Sequence, residues 1–444
     1  MKLKSLEVKQ KKIIRFVKSY FAKGNSPFIK KNYFALFEDG DGMREIQKNI
    51  FNLKKNDKKY SLIKIINFIK NFNYDVSSIK NNKRKYYKNL VITWGNESNL
   101  YRGSFVDKYF DLDTKNFKDT FWIILSPNKF VKKNINDNLA IVYPQNILSN
   151  YINFIFHILT CFVFRNKKKL IDQDQVIAES INNFISKNKI FCKVENLLMP
   201  YEGQAFQKKI FYEQKKANIT LKTFGFDHTA PHSLPTQLYY TKGSPDNLFV
   251  SGANTKKTYT KFYGWPINKI NTTFPCRYKS FNKKNFINIL FLPYDFRLGK
   301  IITNSLNSFL NKASDKSLNK FIVKIHPVKS TDLKHILLKK ELDNIIKQHK
   351  NKFTDKSNYK LSIVVGFTSA AIVALEYGLS VLHICPDPIF DKYSNYFWKD
   401  IDIKRIDNYS FLYKLKKKGK YLDFKLNDKI KTILKNEGNR SQKN

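Results

Sequence analysis

Cysteine is scarce in this chain, and the four present, Cys161, Cys192, Cys276 and Cys385, lie far apart with no CxxC pair. No histidine neighbours them at metal-ligand spacing, so neither a disulfide framework nor a zinc site is indicated, and a reducing compartment is expected. Acidic residues are few, 36 Asp and Glu against 81 Lys and Arg, giving a formal net charge of +45. The N-terminus lacks the uninterrupted apolar core and small-residue cleavage site of a secretory signal. P-loop, GxGxxG, GxSxG and HExxH motifs are all missing from a fitting context. Kinase, dehydrogenase, α/β-hydrolase and zincin chemistry therefore have no support. There is no internal repeat and no extended low-complexity linker.

What is present is the composition of a packed protein, 42% hydrophobic and 15% aromatic, and 444 residues are enough for two domains. The positive charge alone would suggest a polyanion partner. Lys, however, is spread through every segment among Asn, Ile, Phe and Tyr, so the charge favours an anionic partner without favouring nucleic acid. The first twenty residues read as a basic amphipathic helix, with Leu3, Val8, Ile13, Ile14, Phe16 and Val17 on one broad face. Packing on the first domain is expected of it, with membrane-surface attachment as the alternative. Asn146 to Phe164 is strongly apolar and runs into RNKKKL. Asn150, Asn153, His157 and Thr160 interrupt it, where a spanning helix needs about 20 apolar residues. A buried or interdomain helix is expected there, ahead of an interfacial helix on lipid and a transmembrane one.

Short apolar runs alternate with helical segments along most of the chain. NLVITWG, TFWIILS, LAIVYP, NLLMPYEG, TLKTFGFDH and NLFVSG read as strands in the first half, with a further strand and acidic turn at YFALFEDGDGMREIQ. FINILFLPYD, FIVKIHP, LSIVVG and SVLHI repeat the pattern in the second half. The expectation is an α/β chain of two Rossmann-like domains facing a central cleft. The boundaries read as 1–263 for the first domain, 264–285 for a Pro- and Lys-rich linker and 286–444 for the second.

In such sheets ligands collect at the carboxyl ends of the strands, where the next helix offers free N–H groups to an anion. His326 and Pro327 end one strand, and Thr368 and Ser369 follow the next, where a helix begins. An imidazole donor, a proline that sets the chain direction and two hydroxyls on adjacent loops suit a phosphate. Glu376, seven residues past Ser369 and about two helical turns on, is placed to reach a ribose hydroxyl.

KIHP followed by FTSAAIVALEYGLSVLHI, with YGWP about sixty residues earlier, resembles the C-terminal half of GT-B-type glycosyltransferases of bacterial surface-polysaccharide assembly. It is most similar in style to the HP-motif sialyltransferases, polysialyltransferases, Kdo transferases and glycerophosphotransferases that use cytidine-nucleotide donors. The resemblance covers Gly264 to Asp387 and implies a donor-phosphate role for His326, Thr368 and Ser369. Those sialyltransferase-like families also carry an acidic pair before glycine that supplies a general base. Glu38-Asp39-Gly40 matches its letters, early in the chain. MPYEGQAFQKK together with GFDHTAPHSLP resembles surface-carbohydrate biosynthesis proteins in which a strand-end acid precedes a helix and a later strand ends in histidine. Deprotonating a sugar hydroxyl needs a carboxylate or imidazole within hydrogen-bond reach. Glu202, His228, Asp227 and Asp39 are the candidates, with Glu202 and His228 favoured. Asp39-Gly40-Asp41 also has the letters of a metal-holding DxD turn, but that reading leaves the HP and TS pair unexplained.

These readings converge on a metal-independent glycosyltransferase with no cofactor. It would take a nucleotide-sugar donor, which the resemblance implies is CMP-linked, and a glycan or lipid-linked acceptor, at the cytoplasmic side of the inner membrane. An epimerase of nucleotide sugars or a polyol-phosphate transferase would share the fold. A basic nucleic-acid-binding protein is the alternative from another class, though no nucleic-acid partner is expected.

Overall fold

The computed structural model describes residues 3–22, 74–77, 86–130, 138–163, 173–296, 298–355 and 360–435. The first sheet is built from β1 (Tyr74–Val76), β2 (Asn89–Trp94), β6 (Thr120–Leu125), β7 (Leu139–Pro144), β8 (Asn196–Pro200), β9 (Lys222–Phe226), β10 (Asn247–Val250) and β11 (Ile270–Thr272). Three short strands, β3 (Leu100–Tyr101), β4 (Ser104–Asp107) and β5 (Leu112–Asp113), form a separate meander after β2. The order across the large sheet is β1-β7-β6-β2-β8-β9-β10-β11. All neighbours are parallel except β1, which runs antiparallel on β7. Its strands are apolar on both faces, as sheets covered by helices on both sides require. β6 (TFWIIL) is buried at every position. From β2 the chain moves outward through β6 and β7, then returns to the other side of β2 for β8 to β11. The crevice beyond the carboxyl ends of β2 and β8 is therefore a topological switch point.

The second sheet takes β12 (Ile289–Phe291), β13 (Ile322–Lys324), β14 (Leu361–Val365), β15 (Ser380–Ile384), β16 (Ile401–Arg405) and β17 (Ser410–Leu415) in the order β13-β12-β14-β15-β17-β16. The first four are parallel, and β17 with β16 closes the edge as an antiparallel pair. Helices Gly299–Lys312, Leu333–Gln348 and Ala370–Glu376 make the crossovers. The switch here falls between β12 and β14. Two Rossmann-like sheets are thus present, and the architecture is the α/β one expected from the alternation of runs.

The domains are interlocked more than a simple linker implies. YGWP belongs to the first domain: Trp265 is buried, its indole N–H donates to the Leu238 carbonyl at 2.7 Å, and β11 extends the first sheet beyond it. The first domain therefore runs past residue 263, because the bulky Trp265 is part of its core. The helix Lys429–Lys435 returns to that domain, burying Ile430 and Leu434 in its second apolar cluster.

The N-terminal helix Leu3–Ala22 buries Leu6, Gln10, Ile13, Ile14 and Val17, while Val8 is exposed. It does not pack on the first domain alone. Gln10 donates to the carbonyls of Ile389 and Lys392 in the second, at 2.9 and 2.8 Å, and Phe21 stacks on Tyr239 in the first.

The helix Ile147–Val163 departs from the expectation of burial. Leu148, Tyr151, Ile152, Ile155 and Leu159 are exposed, Leu148 by 67%, and the polar Asn150 is the side chain turned inward, donating to the Gln145 carbonyl. Among the described residues no helix is long and apolar enough to cross a membrane.

Candidate active site

Glu202 follows β8 at the switch point of the first sheet. The buried amide of Gln207 shapes the turn around it: Oε1 accepts from the N–H groups of Glu202 and Gln204, both at 3.0 Å, and Nε2 donates to the Pro200 carbonyl at 2.8 Å. Gly203 is needed between them. Its φ is +78°, and a Cβ there would meet the Gln237 carbonyl at 2.4 Å. Thus held, Glu202 Oε1 lies 3.2 Å from His228 Nε2, and its Oε2 accepts from Gln204 Nε2 at 3.2 Å. His228 ends the segment after β9 and is buried; Glu202 leaves about a third of its side chain exposed. The structure thus brings together the acid and the imidazole that sequence reasoning favoured for proton transfer.

The charges are set by the surroundings. Burial would raise the Glu202 carboxyl, but the His228 hydrogen bond and the nearby His228, His232 and Arg277 bring it to about 2. Burial pushes the His228 imidazole down against the pull of Glu202, and takes His232 down to about 4. At neutral pH the group is one carboxylate beside two uncharged imidazoles, with His228 Nε2–H donating to Glu202. Asp227, beside them in sequence, serves a different end. It is buried, it accepts from Tyr259 Oη at 2.7 Å and Thr229 Oγ1 at 3.1 Å, and burial raises its pKa to about 7.

Arg277 is the residue that motif reading missed. It stands exposed on the short turn Cys276–Tyr278, in the stretch read as linker, and makes no ion pair among the described residues. Its charge reaches Glu202, His228 and His232 on the first domain and His326 on the second. An isolated arginine in irregular chain carries no sequence signal; only the fold puts it at the centre. Its guanidinium lies 5.7 Å from the centre of the Tyr109 ring, and that ring meets His228 edge-on at 4.6 Å. Tyr109 and Arg277 also wall a cavity of about 1060 Å³ at the carboxyl ends of β2 and β6.

On the second sheet His326 is half-buried at the end of β13. Its Nδ1 accepts from the Val328 N–H at 3.4 Å, which places the ring proton on Nε2, and Pro327 opens the turn that follows. Burial lowers the His326 pKa, with His335, Arg277 and Lys329 adding to the effect, so the neutral donor form is favoured. Thr368 Oγ1 accepts from the Ala370 N–H at 3.2 Å, and Ser369 caps the helix Ala370–Glu376 by position without a side-chain bond to it. The HP and TS loops are not adjacent, as expected from sequence, because β12 lies between β13 and β14. Strand spacing puts them roughly 10 Å apart. Tyr294, beyond β12, fills the gap and meets His326 at 5.5 Å between ring centres.

Glu376, expected to reach a ribose hydroxyl, is turned to the backbone. It is buried, and its carboxylate accepts four backbone N–H groups, from Gly419 at 2.5 Å, Lys420 at 3.1 Å, Tyr421 at 2.6 Å and Leu422 at 3.2 Å. Seven residues along a helix fixed its height but not what covers it, and the returning chain takes both oxygens. Asp39, with Glu38, Gly40 and Asp41, lies outside the described residues.

The two carboxyl edges meet. His232 stacks on Phe367 with ring centres 4.4 Å apart and planes at 9°. Tyr278 Oη accepts from the Ala230 N–H at 2.7 Å and interacts with the Ser369 hydroxyl. Tyr393 Oη donates to the Pro231 carbonyl at 2.8 Å and the Thr368 carbonyl at 3.2 Å. The carboxylate, the two imidazoles and Arg277 therefore border the same cleft as His326 and the TS turn. The arrangement is able to accept a proton on one side and to donate hydrogen bonds to an anion on the other.

No protein-family model and no curated protein matches the sequence. Among solved structures, a glycosyltransferase from Rickettsia africae is similar over 69% of this chain and 86% of its own, with 13% identity and a TM-score of 0.33. An E. coli structure given as trehalose-6-phosphate bound with UDP-2-fluoro glucose is similar over 64% and 86%, with 10% identity and a TM-score of 0.34. Likenesses this loose carry no argument about chemistry.

Proposed function

We propose that this protein is a glycosyltransferase that moves a sugar from a nucleotide-sugar donor, CMP-linked by the resemblance of its HP and TS segments, to a surface glycan or lipid-linked acceptor. The observation that carries the reading is the Glu202–His228 pair at one sheet's switch point, facing the His326 and Ser369 edge of the other sheet. Glu202 takes the proton of the acceptor hydroxyl. The freed oxygen forms the new bond to the anomeric carbon as the bond from that carbon to the nucleotide phosphate breaks. The phosphate leaves with the electron pair. His228 keeps the carboxylate oriented, and His326 Nε2–H and Ser369 stabilise the departing oxyanion. These are all side chains of the protein, and the reading asks for no metal.

The same reading places the protein at the inner membrane. The exposed apolar face of helix Ile147–Val163 is followed in sequence by Arg165, Lys167, Lys168 and Lys169. An apolar helix face beside basic residues suits the boundary of an anionic bilayer, with cations among the headgroups and the apolar side chains below them.

A melting screen against CMP, CDP and UDP tests the donor side. One nucleotide stabilises the wild type by about 3 kcal/mol at a hundredfold excess over Kd, seen as a raised melting temperature, and His326→Ala loses most of that shift. A flat response to all three nucleotides overturns the reading.

A further inference from the structure

The cavity beside the Glu202–His228 pair is built for more than a neutral sugar. Trp94 at the end of β2 lies between Tyr109, 5.6 Å away, and Phe206, 5.8 Å away, so three aromatic rings make one wall. Flat apolar faces of this kind take the C–H face of a pyranose ring. Much of the polar lining is committed within the protein. The Asn96 side-chain oxygen Oδ1 accepts from the Ser98 N–H at 3.0 Å, the Asn99 side-chain amide donates to the Val106 carbonyl at 3.2 Å, and Ser126 Oγ donates to the Asn128 carbonyl at 2.6 Å. Among the described residues the one carboxylate on the wall, Asp111, is paired with Lys279 at 2.6 Å.

Two lining cations remain. Lys108 and Arg277 are exposed and make no ion pair among the described residues. An unpaired arginine at the mouth of an aromatic cavity is a fork for an oxyanion, carboxylate or phosphate, which it can hold through two parallel hydrogen bonds. A volume of about 1060 Å³ leaves room for more than one ring.

We propose that this cavity binds a saccharide unit bearing an oxyanion, its ring on Trp94 and Tyr109 and its anionic group on Arg277 and Lys108. Calling that saccharide the acceptor rests on the transferase reading; the binding itself does not. Because Tyr109 and Arg277 are shared with the surroundings of Glu202, a unit held there presents its hydroxyls toward the carboxylate.

Trp122, Trp265 and Trp398 are buried and Trp94 is only partly so, which makes tryptophan fluorescence a reporter for this wall. The test titrates the full chain, without nucleotide, with digalacturonate, glucose 6-phosphate and maltose. The fluorescence change comes at lower concentration with one of the two anionic sugars than with maltose, and which one responds separates a carboxylate from a phosphate. Arg277→Gln weakens that binding by about tenfold or more, Lys108→Gln weakens it less, and Trp94→Phe removes the signal. Maltose binding as tightly as both anionic sugars, or an Arg277→Gln titration equal to wild type, overturns the proposal. So does the absence of a fluorescence change with all three sugars. Nucleotide stabilisation is read separately, so failure here leaves the donor reading standing and its failure leaves this one.

Discussion

The two sheet edges that face each other differ in kind. The first carries ionisable groups, the buried His228 and Asp227 and the partly exposed Glu202, whose proton affinities the fold has shifted: Glu202 and His228 downward, Asp227 upward. The second carries half-exposed donors, His326, Thr368 and Ser369, and its buried carboxylate, Glu376, is spent on backbone. Proton transfer needs a group held oriented and in a fixed charge state, whereas gripping a phosphate needs donors that a mobile ligand can reach. Under the proposed function the contrast is a division of labour: chemistry on the first edge, recognition of the leaving group on the second.

The strongest way to break that contrast is to neutralise the base. Glu202→Gln keeps the shape of the turn but removes the carboxylate, and transfer falls by about 10²–10⁴-fold. Donor-nucleotide stabilisation in a melting assay stays close to wild type. If nucleotide binding falls with activity, the two edges do not divide the work. Next in size, Glu376→Ala leaves four backbone N–H groups without their acceptor and lowers stability by about 3 kcal/mol or more, measured by denaturant unfolding. A variant with unchanged stability and weakened nucleotide binding would restore the ribose role.

The remaining effect is in pH dependence. Folded Asp227 holds its proton to about pH 7, while its ordinary value is 3.8, so the unfolded chain sheds that proton first. Stability therefore falls as pH rises from about 4 to 7. Asp107, raised by burial to about 6, adds a decline in the same sense. Asp227→Asn makes the fall in melting temperature across this window shallower and leaves the Asp107 part in place. An unaltered slope would mean that Asp227 is not held protonated.

Much of the fold was legible because buried parallel strands are continuous β-branched runs: NLVITW, TFWIIL, LSIVV and SVLHI stand where their apolar character puts them. The meander of β3 to β5 was not, since strands of two to four residues leave no periodicity to read. Helix Ile147–Val163 was misplaced because apolar composition suggests burial, while Leu148, Tyr151, Ile152, Ile155 and Leu159 in fact face outward. At the site, Glu202 and His228 were readable as strand-end residues before a helix or a turn. Arg277 was not, because an arginine in a linker looks like any other surface charge. The separation of His326 from Ser369 was hidden for a topological reason: successive strands in sequence, β13 and β14, have β12 between them.

The most direct test of the account is the structure of the protein with the stabilising nucleotide bound. Its phosphate is expected between His326 Nε2 and the Ser369 turn, with the end that carries the sugar directed across the cleft toward Glu202. A nucleotide seated instead against Trp94 in the cavity of the first domain, with His326 untouched, would contradict it.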